Sequence, residues 1–282
     1  MVQINRVVLV IAAAALVICG RVRAQEGPGW PAIDPADLKL KDNPKEPGGQ
    51  AMVLEYWDDT DNVKSTETIG VRIKVLREDG LKYANIEIPY LQKISQVEDI
   101  RARTVSPAGQ ATEFNGAIYD KEIIRAKKYK LNAKTLALSN VQVGSIIEYS
   151  YRLHRKQDFP DVVKHPSQYI ITEPIVYPAA VWEVQWNIFV RHVSLTLHAY
   201  QGGVLKYSYL NTISAPTDAT AAGGPVHLEL RDIPGYVEEE SAPPESALRG
   251  KIVVNYTYLV WDAQSFWRSV GKEDGKIYAE FL

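Results

Sequence analysis

The chain has 282 residues, enough for one large domain or two small ones. Hydrophobic residues make up 46% and charged residues 23%, an ordinary globular balance that excludes wholesale disorder. Lys and Arg total 32 against 34 for Asp and Glu, so no strong positive field is present to hold nucleic acid by its phosphates.

Residues 1–24 read as an export signal. Arg6 supplies a short basic start, and Val7 to Cys19 is an uncharged, mostly aliphatic run. That run is too short to span a bilayer. Val22-Arg23-Ala24 sets β-branched and small residues before a cut between Ala24 and Gln25. A lipid-modified Cys19 would need a small residue before it, and Ile18 is large and branched. Cleavage would remove Arg6, Arg21 and Arg23, taking the formal charge from −2 to −5. It would also remove Cys19, the only cysteine. The exported chain, periplasmic or secreted and with no further span, would then hold no disulfide, cysteine-based zinc site or thiol nucleophile.

Residues 25–49 are rich in Pro, Gly and Asp and read as an extended arm. From residue 50 a period of two takes over. Val71, Ile73 and Val75 alternate with Arg72 and Lys74; Asp79-Gly80 then signals a tight turn into Ala84, Ile86, Ile88 and Tyr90, so 70–90 reads as a hairpin. Ile147, Tyr149, Tyr151 and Leu153 alternate with Glu148, Ser150 and Arg152. After a soft break at Lys156 to Pro160, Trp182, Val184, Trp186, Ile188 and Val190 read as one buried strand face. Val193, Leu195 and Leu197 form another, Gly202-Gly203 turns the chain toward Leu205, Tyr207 and Tyr209, and Ile252, Val254, Tyr256 and Tyr258 make a late strand. Segments 214–225 and 232–250 read as loops, the second acidic. Many short strands punctuated by turns predict an all-β, antiparallel sandwich-like module over 50–262. Only 263–282 looks helical. Ser265 is a candidate N-cap, and Ile277, Tyr278, Phe281 and Leu282 form an apolar stripe. That segment reads as the start of a following region.

Catalytic patterns are sparse. Ser269-Val270-Gly271-Lys272 matches Ser-x-x-Lys without its companion motifs, and chance explains it better. The five histidines form no metal-binding pair, and His192 and His198 read as solvent-facing positions on one strand face. Asp58, Asp59 and Asp61 cluster at a predicted turn and Glu238 to Glu240 make an acidic run, but neither has the spacing of a calcium loop. Asn255-Tyr256-Thr257 is a glycosylation sequon inside a predicted strand. The aromatics could stack on sugars, although Trp182 and Trp186 share a predicted core face. No catalytic residue, cofactor or metal is assigned.

Two longer runs carry a resemblance. They are Asp99-Ile100-Arg101-Ala102-Arg103-Thr104-Val105-Ser106-Pro107-Ala108-Gly109 and Asn140-Val141-Gln142-Val143-Gly144-Ser145-Ile146-Ile147-Glu148-Tyr149-Ser150-Tyr151, supported by Ile118-Tyr119-Asp120-Lys121. Together they resemble the domain of unknown function that precedes transglutaminase-like domains in exported bacterial proteins. The resemblance covers roughly residues 50–260. It implies an all-β accessory or interaction module without catalytic residues of its own, its chemistry lying in a following Cys-His-Asp domain. The partner implied is that domain or another cell-envelope protein. Alternatives are a glycan- or peptide-binding sandwich using exposed aromatics, and a hydrolase with an unrecognised site.

Overall fold

The computed structural model describes residues 29–125, 130–171, 174–202, 204–212, 217–218, 224–237 and 245–259, with a few helical positions beyond. The strands are β1 (Ala51–Asp61), β2 (Thr66–Val75), β3 (Asn85–Leu91), β4 (Ser95–Val105), β5 (Ala111–Glu113), β6 (Tyr119–Arg125) and β7 (Lys130–Ala137). They continue as β8 (Ile146–Arg155), β9 (Ile175–Glu183), β10 (Val190–His198), β11 (Val204–Leu210), β12 (Thr217–Asp218), β13 (Val226–Ile233) and β14 (Lys251–Tyr258). An eight-stranded sheet runs in the order β12-β13-β10-β1-β2-β8-β4-β5. Two three-stranded sheets, β11-β14-β9 and β3-β7-β6, complete the architecture. The fold is all-β and sandwich-like, as the period-two patterning predicts. One pair, β1 with β10, is parallel.

A single core joins the layers. It takes Val71, Ile73 and Ile147 from the large sheet, Ile86, Ile88 and Leu136 from one small sheet, and Trp182, Ile252, Val254 and Tyr256 from the other. Alternation carries this: residues two apart share a face, and each inner face meets another sheet.

Two sequence expectations are corrected here. Asp79-Gly80 does not close a hairpin. Glu78–Ala84 is a turn of 3-10 helix, and β3 leaves for a different sheet, where it pairs with β7. The reason is that β2 is already flanked by β1 and β8, so no free edge remains for β3. Gly80 serves another purpose: a Cβ there would stand 2.3 Å from the Gln50 carbonyl oxygen. Nor is 182–190 one strand. β9 ends at Glu183 and β10 begins at Val190 in the other layer, so the intervening residues cross between sheets. Trp182, Val184 and Ile188 are still buried, but Trp186 is only half-buried, packed edge-on to Tyr56 at 6.0 Å.

The outer face of the large sheet carries the polar alternates of these strands, yet much of it is not in water. Arg72, Lys74, Arg103 and Glu148 are all buried. The segment from Trp30 to Leu40, read from the sequence as a loose arm, lies over them. Ile33, Leu38 and Leu40 pack on Met52, Leu54, Leu76, Val105 and Ile146. Asp34 caps the short helix Pro35–Lys39 by accepting from the Ala36 N–H at 2.8 Å. At the C-terminus, Gln264, Trp267, Arg268, Gly271 and Lys272 are helical. Ser265, Ser269 and the stripe at 277–282 lie outside the described residues, as do Ala24, Gln25 and Glu238 to Glu240. Among the described residues no helix is long and apolar enough to cross a membrane.

Candidate functional site on the outer sheet face

The motif Val143-Gly144-Ser145-Ile146-Ile147-Glu148-Tyr149 resolves into a structural device. Gly144 adopts φ +89°, a conformation that favours glycine, and turns the chain into β8. Ser145 Oγ accepts from the Gln142 N–H at 3.1 Å, and the Gly144 carbonyl accepts from Lys74 Nζ at 2.5 Å. Ile146 and Ile147 fill opposite faces of the sheet, in the two separate clusters. Glu148, fully buried, then accepts from Arg72 Nε at 2.8 Å and from Arg103 Nε at 2.6 Å. The spare Arg72 donors reach the carbonyls of Pro31 at 2.7 Å and Ala32 at 3.2 Å. Trp30 covers Arg103, its ring 5.0 Å from the guanidinium. The arm and the motif therefore form one closed ionic network.

Beyond the arm the same face opens. A shallow concavity of about 280 Å³ is lined by Asp59 and Asp61 of β1, Lys64 of the following turn, Thr66 and Thr68 of β2, Arg152 of β8 and His198 of β10. Register brings them together: Asp59 pairs across to Thr68, Asp61 to Thr66 and, on the other side, to His198, and Thr68 to Arg152. Lys64 and Arg152 each have a carboxylate neighbour, and His198 lies beside a third. Lys64 Nζ donates to Asp61 at 2.6 Å, His198 Nε2 lies 3.1 Å from Asp59, and Arg152 lies 2.7 Å from Asp99. Asp99 is presented by a bulge in β4, where it adopts φ +51°. Partial burial raises the Asp61 pKa, but the hydrogen bonds from Lys64 outweigh it and hold this carboxyl below its ordinary value. The same hydrogen bond raises Lys64.

Next to this concavity Trp57 lies flat on the sheet. A Cβ at Gly70 would stand 1.8 Å from the indole Cζ2 and 1.9 Å from Cε2, so the ring occupies the space that any other residue at 70 would fill. Trp57 remains half-buried, and Ser150, paired with Gly70, is buried beside it. Trp57 and Asp59 share a face about 7 Å apart by strand rise.

The structure separates the aspartate cluster. Asp59 and Asp61 point outward, whereas Asp58 points into the core and is 2% exposed. There Thr60 Oγ1 donates to Asp58 at 2.9 Å and accepts from Trp182 Nε1 at 3.1 Å. Tyr56 OH, 3.4 Å from Asp58, and Asn62, which donates to Tyr256 OH at 3.0 Å, extend this polar seam. Burial raises the Asp58 pKa well above its ordinary value, and the neighbouring Glu67 adds to the rise; Glu67 is itself raised by burial. Paired carboxyls with raised pKa values are an acid–base pattern, but Asp58 is closed to any substrate in this state.

His192 and His198 both stand on the outer face of β10, and the His198 side chain is 38% exposed. His192 is half-buried, with Nδ1 2.6 Å from Glu55 and Nε2 3.5 Å from Glu229. The sequon cannot be used in the folded chain, since Asn255 and Thr257 are 6% and 3% exposed within β14. No group of three or more possible metal ligands exists among the described residues. Sequence reading missed Trp57 as a surface feature. Its signal is Gly70, an isolated glycine within a strand pattern, which marks close approach of something to the backbone.

Fold and site together define a β-sandwich module with a polar, aromatic-flanked outer face. The chain belongs to a family described as a domain of unknown function with a solved structure (DUF3857), matched over residues 61–234. A presumed protease from Parabacteroides distasonis has a similar fold, with a TM-score of 0.54 at 14% identity. The match covers 74% of this chain and 41% of that one. Yeast LTA4 hydrolase in complex with bestatin aligns at a TM-score of 0.34 and 8% identity, over 72% of this chain and 28% of the other. This chain thus corresponds to less than half the length of either. No curated protein matches it.

Proposed function

We propose that the chain is an exported, non-catalytic module that serves a transglutaminase-like catalytic domain, carried elsewhere in the same polypeptide or by a partner in the cell envelope. The observation that carries this reading is the share of the match: a sandwich like this one occupies 41% of a longer protein described as a presumed protease. In such a protein the sandwich is one part, and chemistry can reside in the remainder. The sequence supports the division of labour. Its only cysteine, Cys19, falls within the predicted leader, so the exported chain has no thiolate to offer acyl transfer. Export itself rests on the Val22-Arg23-Ala24 cut before Gln25.

Purified chain, incubated with glutamine peptides and primary amines, is expected to release ammonia at the buffer rate. Turnover that follows the protein through successive columns would overturn the non-catalytic reading. N-terminal mass analysis of exported material is expected to begin at Gln25. An intact Met1 or a lipid on Cys19 would overturn cleavage before Gln25.

A further inference from the structure

We propose that the open half of the outer sheet face binds a neutral carbohydrate, with Trp57 as the stacking surface and the Asp59/Thr68/Arg152 side of the concavity as the hydroxyl-reading surface. This goes beyond the accessory role and does not depend on whether the chain has catalytic activity.

Three observations carry it. First, the indole of Trp57 lies on Gly70 like a tile, one π face against the backbone and the other directed away from the sheet. A half-buried tryptophan in this pose, in the open half of the face where its strand neighbours are Asp59, Thr68, Ser150, Arg152 and Ser194, is not filling a core. The C–H face of a pyranose ring fits such a platform, because it is apolar while its rim is not. Second, the polar groups stand at the right separation. Asp59 is about 7 Å further along β1, with Thr68 opposite it and Arg152 opposite Thr68, so a ring stacked on Trp57 places its hydroxyls over them. Carboxylate, guanidinium and hydroxyl groups together supply both donors and acceptors, as a diol requires.

Third, charge selects the ligand class. Asp61 is matched by Lys64 and Arg152 by Asp99, while the Asp59 carboxylate lies 3.1 Å from His198 Nε2. An anion at Arg152 or a cation at Asp61 would have to break one of these two ion pairs and leave the released charge unmatched. A neutral polyol breaks none; it adds hydrogen bonds to carboxylate and guanidinium edges already held in place. The concavity is open and shallow, so it suits one or two units of a chain that continues past it rather than an engulfed small molecule.

Calorimetric titration of the full chain tests this, with tetrasaccharides of glucose, mannose and N-acetylglucosamine as probes. Calcium chloride, inorganic phosphate and a short mixed-sequence peptide form the comparison arms. At least one neutral tetrasaccharide is expected to bind, and Trp57→Ala to weaken it at least tenfold. Asp59→Asn, which keeps the fold and leaves Trp57 untouched, is expected to weaken it several-fold, so the proposal stays testable if Trp57→Ala unfolds. It is overturned if none of the neutral sugars binds, if only calcium, phosphate or peptide binds, or if both variants bind sugar as tightly as the parent.

Discussion

Asp58 shows how one side chain can set the pH response of a core. It sits between β1, β2 and β9 with Thr60, Tyr56, Glu67 and Trp182 around it, and Tyr149, Tyr151 and Arg155 reach the same region from β8. Burial favours the protonated acid, so its folded pKa lies above that of the unfolded chain. The folded state then holds a proton that the unfolded state has released. Stability from this group is complete below the unfolded value, near 4, and is lost as pH rises toward the folded value. The carboxyls shifted the other way, Asp61, Asp120 and Glu122, act in a different range, losing their stabilising ionisation only as pH falls below about 4. One such proton tilts stability by at most about 1.4 kcal/mol per pH unit. Asp58→Asn keeps an acceptor for Thr60 and removes the titration. Urea denaturation between pH 4 and 8 is expected to show the parent weakening with pH and the variant weakening less, with the slope that remains belonging to the buried Glu67. Parallel curves for the two proteins would mean that Asp58 is ionised in the folded state.

At the scale of elements, the N-terminal arm and the β8 motif depend on each other. Arg72 is shared between Glu148 and the carbonyls of Pro31 and Ala32; Lys74 Nζ is shared between Leu38 and Gly144. Asp37 ties the arm to Arg191 at 2.5 and 2.9 Å. A buried carboxylate held by two guanidiniums is costly to disrupt on one side only, about 3–5 kcal/mol, because unmatched charge is left behind. Glu148→Gln is expected to cost that much in denaturant midpoint analysis. Replacing Arg72, Arg103 and Glu148 together by Met, Met and Leu is expected to recover most of it. A loss under about 1 kcal/mol for Glu148→Gln would mean that water reaches the network and the arm does not seal it. The sequence showed Glu148 at the correct strand parity and flagged its motif, but not its burial. Period two assigns a residue to a face; it does not say what covers that face. Here the cover comes from a Pro- and Asp-rich segment that local pattern reads as irregular, since its order arises from Trp30, Asp37 and Leu38 contacting distant strands. The same limit hid the concavity. Asp58, Asp59 and Asp61 read as a turn cluster rather than as part of β1, and Thr66, Thr68, Arg152 and His198 meet Asp59 and Asp61 only through the order of β10, β1, β2 and β8.

For the whole molecule, the parallel pairing of β1 with β10 decides how the chain must fold. Residues 51–61 lie beside 190–198, so the two halves on either side of the 156–160 break are woven into one sheet. The break itself is part of the core. Phe159 is 2% exposed, with the rings of Tyr177, Tyr200 and Tyr256 at 5.3, 5.4 and 6.1 Å. A chain of this size often unfolds through intermediates, so a single transition would be informative rather than assumed. The shared core predicts one. Tryptophan emission reports on all the tryptophans, the buried Trp30 and Trp182 among them, and far-ultraviolet circular dichroism on all three sheets; the two are expected to give coincident urea curves. Refolding is expected to be slow, in the millisecond-to-second range or beyond, because β1 must wait for a partner more than a hundred residues away. A fragment ending near residue 158 would leave one edge of β1 unpaired and would lack Trp182, Ile252, Val254 and Tyr256 of the shared core, so it is expected to remain unfolded or aggregate. Two separated transitions in the intact chain, or a well-dispersed amide spectrum from that fragment, would show that the halves fold independently and that the β1–β10 pairing is a late docking step rather than the organising contact.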